Sequence, residues 1–233
     1  MRIQTKDGNY VVISEGNKKL GTIPSFNTSR DYSCDKRLSC YKKGCYAKAC
    51  WGKFRPAAYA SVVHNAEMCK SSRQAVSDAI KSFLLNGAVS YNYFRWHASG
   101  DIVDRPYFEM MIQIAKACPN TKFLAYTKRY AIVNGWIAKN GIKALPKNLI
   151  IRFSAWKKTD VFPNPFKLPV FYVDFSTMGT GHPELNPDIP SDSMKCPGVT
   201  AGCYRCFKCW THNPVVCKFH GGHGQVKEKK GGE

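Results

Sequence analysis

Residues 91–127 read YNYFRWHASGDIVDRPYFEMMIQIAKACPNTKFLAYT, and this stretch decides the fold. Its first run, 91–99, is rich in aromatic residues and predicts a strand. Residues 104–118, DRPYFEMMIQIAKAC, carry apolar side chains at helical spacing. Asp104 is the natural N-cap, and Pro106 falls in the first turn, where a missing N–H costs nothing. KFLAYT at 122–127 is again a strand. Strand, helix and strand at this spacing make a βαβ unit, which crosses over right-handed and lays its strands parallel.

The pattern repeats outward. RYAIVNGWIAKN (129–140) predicts a helix closed by Gly141, and NLIIRFSA (148–155) and PVFYVDFS (169–176) predict two more strands. On the N-terminal side, SSRQAVSDAIKSFLLNG (71–87) predicts a helix capped by Ser71 or Ser72, with an apolar stripe from Ala75 to Leu84 and Gly87 past its end. NYVVISEGNKKLGTI (9–23) predicts a hairpin turning at Glu15-Gly16-Asn17. Residues 24–51 read as one long loop, and beyond Asp188 no strand or helix period is visible. Four clear core strands are too few for an eight-stranded barrel. The expectation is an α/β protein, either a partial (β/α)6-type barrel or an open parallel sheet, with an N-terminal hairpin and a Cys-rich C-terminal extension. Its divisions are 1–188, holding a cluster loop at 25–55; 189–224, Cys-rich; and 225–233, a disordered basic tail.

The chain has 233 residues, enough for one full core, and 44% are hydrophobic. No window of 18 apolar residues is present, so no membrane-spanning helix is expected. MRIQTKDGNY lacks the apolar run of a secretory signal, which points to the cytoplasm, where clustered cysteines bind metal or do redox chemistry more often than they form disulfides. Lys and Arg number 35 against 16 Asp and Glu, a formal charge of +19. A surplus of this size implies a polyanionic partner, nucleic acid above all. Nine basic residues fall within 36–73, around the first group of cysteines.

Nine of eleven cysteines form two groups. Cys34, Cys40, Cys45 and Cys50 follow C-x5-C-x4-C-x4-C. That is loose for a zinc knuckle, whereas an iron–sulfur cubane accepts thiolates from an irregular loop. Three thiolates would leave one iron open. Cys196, Cys203, Cys206, Cys209 and Cys217 include C-x2-C-x2-C, where the sulfurs repel unless a cation neutralises them. Cys196, Cys203, Cys206 and Cys209 are the simplest set, for a second [4Fe–4S] cluster or zinc. Cys217 is a candidate replacement, with His212, His220 and His223 weaker ones. Cys69 and Cys118 lie on helical patterns and read as core.

In parallel α/β folds working residues lie at the carboxyl ends of strands. Those ends supply His97, Ser99, Gly100 and Asp101; Tyr126, Thr127 and Lys128; Ser154 and Trp156; and Asp174, Ser176 and Thr177. Catalytic candidates are His97, Asp101 and Lys128. Tyr91, Tyr93, Trp96, Tyr126 and Trp156 can stack on a base or fill the core.

Together these motifs resemble a phage and plasmid family, the gene product eighty-eight-like proteins. The family pairs a Ser-Cys…Cys…Gly-Cys-Tyr-Ala segment (residues 33–47 here) with a His-x-Ser-Gly-Asp strand end (97–101), a Tyr-Thr-Lys strand end (126–128) and a C-x2-C-x2-C-W tail (203–210). It looks like a divergent branch of the radical S-adenosylmethionine (SAM) enzymes. That resemblance implies a [4Fe–4S] cluster on Cys34, Cys40 and Cys45, with SAM at its open iron. It implies SAM contacts from Tyr46, Ser99, Gly100, Asp101, Ser154 and Asp174, and an auxiliary cluster on the tail. It also implies a 5′-deoxyadenosyl radical acting on nucleic acid or another anionic substrate, an electron donor such as flavodoxin or ferredoxin, and the host cytoplasm as location. The spacing departs from the usual C-x3-C-x2-C. The competing reading is a zinc-stabilised nucleic-acid-binding protein without catalysis.

Overall fold

The computed structural model describes residues 1–42, 45, 47, 55–86, 90–156, 163–175, 188–197 and 201–218. Tyr46, Cys50, Gly87, Ser176, Thr177, His220, His223 and the tail at 225–233 lie outside the described residues. Nine strands form one open, mostly parallel sheet in the order β1 (Arg2–Gln4), β2 (Tyr10–Ser14), β3 (Ser25–Phe26), β4 (Tyr93–Trp96), β5 (Lys122–Thr127), β6 (Leu149–Ala155), β7 (Val170–Asp174), β9 (Val215–Lys218), β8 (Met194–Lys195). β1, β2 and β3 pair antiparallel, and every pair from β3 onward is parallel.

From β3 to β7 the strands stand in chain order. Crossovers of one hand between strands added in order put every crossover helix on the same face. Four helices fill the first crossovers: α3 (Pro56–Ser71) and α4 (Arg73–Asn86) lead into β4, α5 (Arg105–Ala117) joins β4 to β5, and α6 (Tyr130–Asn140) joins β5 to β6. The main core lies between them and the sheet, where Phe123, Ala125, Ile151 and Phe153 meet Phe108, Met111, Val133 and Ile137. The alternate strand positions, Leu124 and Ile150, face the opposite side, which Leu20, Ile23, Cys209, Trp210 and Val215 cover. A strand's period of two therefore sends one set of side chains to the helices and the other to the Cys-rich segment.

Asp104 caps α5, its carboxylate accepting from the Tyr107 amide at 2.7 Å. Gly141 ends α6 at φ 82°, a conformation suited to glycine. Cys69 and Cys118 are core residues, and burial pushes the Cys69 thiol up to about 12.

Four expectations need correction. The hairpin lies earlier, with β1 pairing β2 across a turn at Thr5–Gly8. Glu15-Gly16-Asn17, expected as its turn, instead opens a tight loop closed by Gly21 N donating to Asn17 O at 2.7 Å. The loop from 24 contains β3 and two short helices, α1 (Arg30–Ser33) and α2 (Ser39–Lys42). Helix α3 was not legible, because it carries little amphipathic contrast: His64, Asn65 and Glu67 interrupt its apolar side. Beyond Asp188 the chain adds β8, the helical turn α7 (Cys203–Cys206), a 3-10 turn (Lys208–Trp210) and β9, which lies beside β7 in the sheet.

Candidate functional site

A cavity of about 510 Å³ opens at the carboxyl ends of the parallel strands. Two walls are built by the two cysteine groups. Cys34, Cys40 and Cys45 come from the segment after β3, and Cys196, Cys203, Cys209 and Cys217 from the C-terminal segment. The strand ends form the floor, with His97, Ser99, Gly100, Asp101, Tyr126, Thr127, Lys128, Ser154 and Trp156.

The end of β4 is locked to the segment that carries Cys34. Asn27 Oδ1 accepts from the amides of Ala98 (2.7 Å) and Ser99 (3.2 Å), and Ser33 Oγ accepts from the Asp101 amide (2.9 Å). Gly100 has φ 86° and sits hard against this segment; a Cβ there would lie 2.2 Å from Thr28 Oγ1 and 2.5 Å from Thr28 O. Asp101 completes the lock. Its Oδ1 accepts from Thr127 Oγ1 (2.6 Å) and the Ile102 amide (2.7 Å), and its Oδ2 from the Lys128 amide (2.9 Å). Burial pushes this carboxyl up, and those three donors pull it back. Three of about four acceptor positions are taken inside the protein, so the carboxylate's first task is to tie β4 to β5.

His97 stands at φ 57°, in the left-handed region that non-glycine residues seldom enter. Its Nε2 lies 2.8 Å from the Tyr107 hydroxyl, and its Nδ1 has no hydrogen-bond partner among the described residues. Burial, helped by the Arg95 charge, lowers its pKa to about 3, so the ring is neutral near pH 7. Lys128 Nζ donates to Ser154 O (2.6 Å) and Ser154 Oγ (2.8 Å), and lies 5.7 Å from the centre of the Trp156 ring. Asp174 ends β7 half-buried and does not line the cavity. Of the five aromatics, Tyr126 and Trp156 reach the cavity; Trp96 is core, Tyr91 stacks on Phe83 and Tyr93 on Phe207.

Charge is one-sided. Lys19, Arg30, Arg95, Lys128 and Lys218 line the cavity, and Asp101 is the only acid among the described lining residues. Arg30 is 7% exposed and lies 3.7 Å over the Tyr41 ring. One of its terminal nitrogens donates to Tyr41 O, its Nε is 3.6 Å from Asp31, and its Nε and Nη1 make no hydrogen bond. Arg95 lies 4.2 Å over Tyr126, with Nε likewise unbonded.

The C-terminal segment is held by Arg152, a fully buried guanidinium on β6. It donates to the carbonyls of Cys209 (2.7 Å), Thr211 (2.7 Å), Asn213 (2.8 Å), Lys208 (3.2 Å) and Val170 (3.4 Å). The Cys203 amide donates to Lys19 O at 2.6 Å, so the loop that replaced the expected hairpin turn docks this segment. Gly21 and Gly202 are both pressed against the Tyr204 ring, leaving no room for a Cβ at either. Strand periodicity had no place for Arg152 or Arg95. The available signal was an arginine inside an apolar strand run, LIIRFSA and YFRW.

No described cysteine is in a disulfide. Among the described residues, no three His, Cys, Asp or Glu side chains close tightly enough to grip a single ion. The thiols of the first wall nevertheless interact. Burial, then Asp101, Cys45 and Cys40, push the Cys34 thiol far above its ordinary range. Thiols that hinder each other's ionisation can ionise together only if a cation lies among them.

The profile of the gene product 88 family matches residues 5–212. The chain belongs to that family. The match runs from β2 through the 3-10 turn, and so includes the first cysteine wall, the strand-end floor, and Cys196, Cys203 and Cys209 of the second wall; Cys217 on β9 lies beyond it. No curated protein matches the chain, and no solved structure does. No helix among the described residues is long and apolar enough to cross a membrane.

Proposed function

We propose that this gene product 88 protein is an iron–sulfur enzyme of the radical SAM type, acting on nucleic acid or another anionic substrate. One observation carries the reading: a single cavity gathers both cysteine groups, the strand-end polar residues and five cationic side chains against one carboxylate. A purely structural metal site has no need of an open cavity, and a charge-driven binding surface has no need of thiols inside one.

Cys34, Cys40 and Cys45 would hold the cluster, which with SAM would supply one-electron chemistry. The chain's own residues have separable tasks. Arg30 and Arg95 offer unbonded guanidinium N–H groups to an anion, and their burial strengthens that attraction by excluding water. Lys128, fixed by Ser154, carries a cation to the floor. Neutral His97 can exchange a hydrogen bond at Nδ1 without adding charge. Ser99, Gly100 and Asp101 hold the cluster segment against the sheet, and SAM contacts would fall to atoms that this lock leaves unused.

The test is anaerobic incubation of the purified chain with SAM and a strong reductant. The proposal expects 5′-deoxyadenosine from the wild type and none from Cys45→Ala. Equal product from both, or none from an iron-loaded wild type, contradicts it. Zinc in place of iron, with salt-sensitive nucleic-acid binding, would favour the non-catalytic binding protein instead.

A further inference from the structure

Spacing and structure choose different ligands for the C-terminal site. Spacing favours Cys203, Cys206 and Cys209 with Cys196. Four cysteines of this segment line the cavity, and Cys206 is not among them; Cys217 is. The backbone explains why. Cys203 opens α7, its amide anchored on Lys19 O. Cys206 ends the same turn, and Phe207 then reverses the chain in the left-handed region, at φ 50°. That reversal brings Cys209 back to the sheet, where it is buried. The Tyr126 hydroxyl donates to its sulfur, and Arg152 holds its carbonyl.

Cys217 arrives by a different route. β8 and β9 are parallel, with Met194 opposite Val215 and Lys195 opposite Val216, so Cys196 and Cys217 come next in the ladder. The Cys196 amide donates to Val216 O at 2.7 Å, and the Cys217 thiol is hydrogen-bonded to Cys196. Cys196 and Cys203 pack against the same buried cluster that contains Cys209.

We infer that Cys196, Cys203, Cys209 and Cys217 hold a second iron–sulfur centre facing the same cavity as the first, with Cys206 outside the ligand set. This rests on the iron–sulfur reading above. It makes the second centre a wall of the substrate chamber rather than a remote electron store. Tyr126 becomes a positioning residue, tying β5 to the Cys209 ligand.

The experiment measures iron and zinc per chain in anaerobically purified wild type, Cys206→Ala and Cys217→Ala. Cys206→Ala should keep the full wild-type content. Cys217→Ala should lose about half the iron, four of roughly eight for two cubanes. Because Cys217 is buried in a strand, alkylation of the native wild-type chain provides a second readout. Cys206 should be labelled readily and the other four only after the metal is stripped. Loss of metal in Cys206→Ala, full retention in Cys217→Ala, or a metal-free wild type overturns the assignment. Zinc lost in the same pattern upholds the ligand set and sinks the iron–sulfur reading. Iron lost in Cys45→Ala but in neither tail variant upholds that reading and sinks this one.

Discussion

The two cysteine-bearing regions face each other across one cavity but are supported in different ways. The C-terminal one is part of the sheet. Cys196 directly follows β8 and Cys217 lies in β9, Arg152 binds four carbonyls between Lys208 and Asn213, and Lys19 O receives the Cys203 amide. In the N-terminal region the described ties concentrate at its start, where Asn27, Thr28 and Ser33 grip the end of β4; Cys40 follows on a four-residue helix. The difference suits a division of labour, with one cysteine group built rigidly into the fold and the other beside the lock formed by Gly100 and Asp101.

The largest expected effect breaks the better-supported region. Arg152→Ala removes one guanidinium and strands up to five carbonyls in a buried place. It should cost more than about 4 kcal/mol in denaturant unfolding, since buried polar groups left unpaired are among the few causes of losses that large. A cost under about 1 kcal/mol would mean that the clamp is not what holds the segment.

The next attacks the other region. Gly100→Ala should cost about 2–3 kcal/mol, because its Cβ would lie 2.2 Å from Thr28 Oγ1 at a positive φ. Gly135→Ala is the control. Its Cβ meets nothing within 4 Å, and the position is inside α6, so it should stabilise by about 0.5–1 kcal/mol. Equal effects would remove the case for a lock at Gly100.

A third prediction concerns pH. His97 is held below its ordinary value, at about 3, so between pH 6.5 and 3 the unfolded chain takes up a proton that the folded one refuses. Stability from this residue is full above pH 6.5 and falls as pH drops, by up to about 1.4 kcal/mol per unit. Asp101, whose carboxyl is raised, acts in the opposite sense. The difference in slope between wild type and His97→Gln from pH 6.5 to 5 isolates the imidazole, and identical slopes would show that the ring is not buried neutral. The smallest effect lies outside both regions. Asp104→Ala should cost about 1 kcal/mol as a lost N-cap of α5 and leave metal content unchanged.

The sequence made the central βαβ repeat legible because its apolar periods are strong and its caps conventional: Asp104 and Gly141 stand where they were expected. It also made both cysteine groups and the 97–101 strand end legible as site components. It did not make their meeting legible, since residues 34 and 217 are joined only by the strand order. Strands of two residues, such as β3 and β8, carry too few side chains to show a period. Arg30 lies in a stretch without periodicity, so nothing in the sequence marks its burial. The 15–21 loop had the residues of a hairpin turn, yet its partner is Cys203, nearly the whole chain away.

The central claim is that two iron–sulfur centres share one basic cavity, and elemental analysis of the anaerobically purified wild-type chain tests it most directly. The account predicts roughly eight irons per chain, with matching acid-labile sulfide and no stoichiometric zinc. One or two zinc ions per chain with no iron would contradict it.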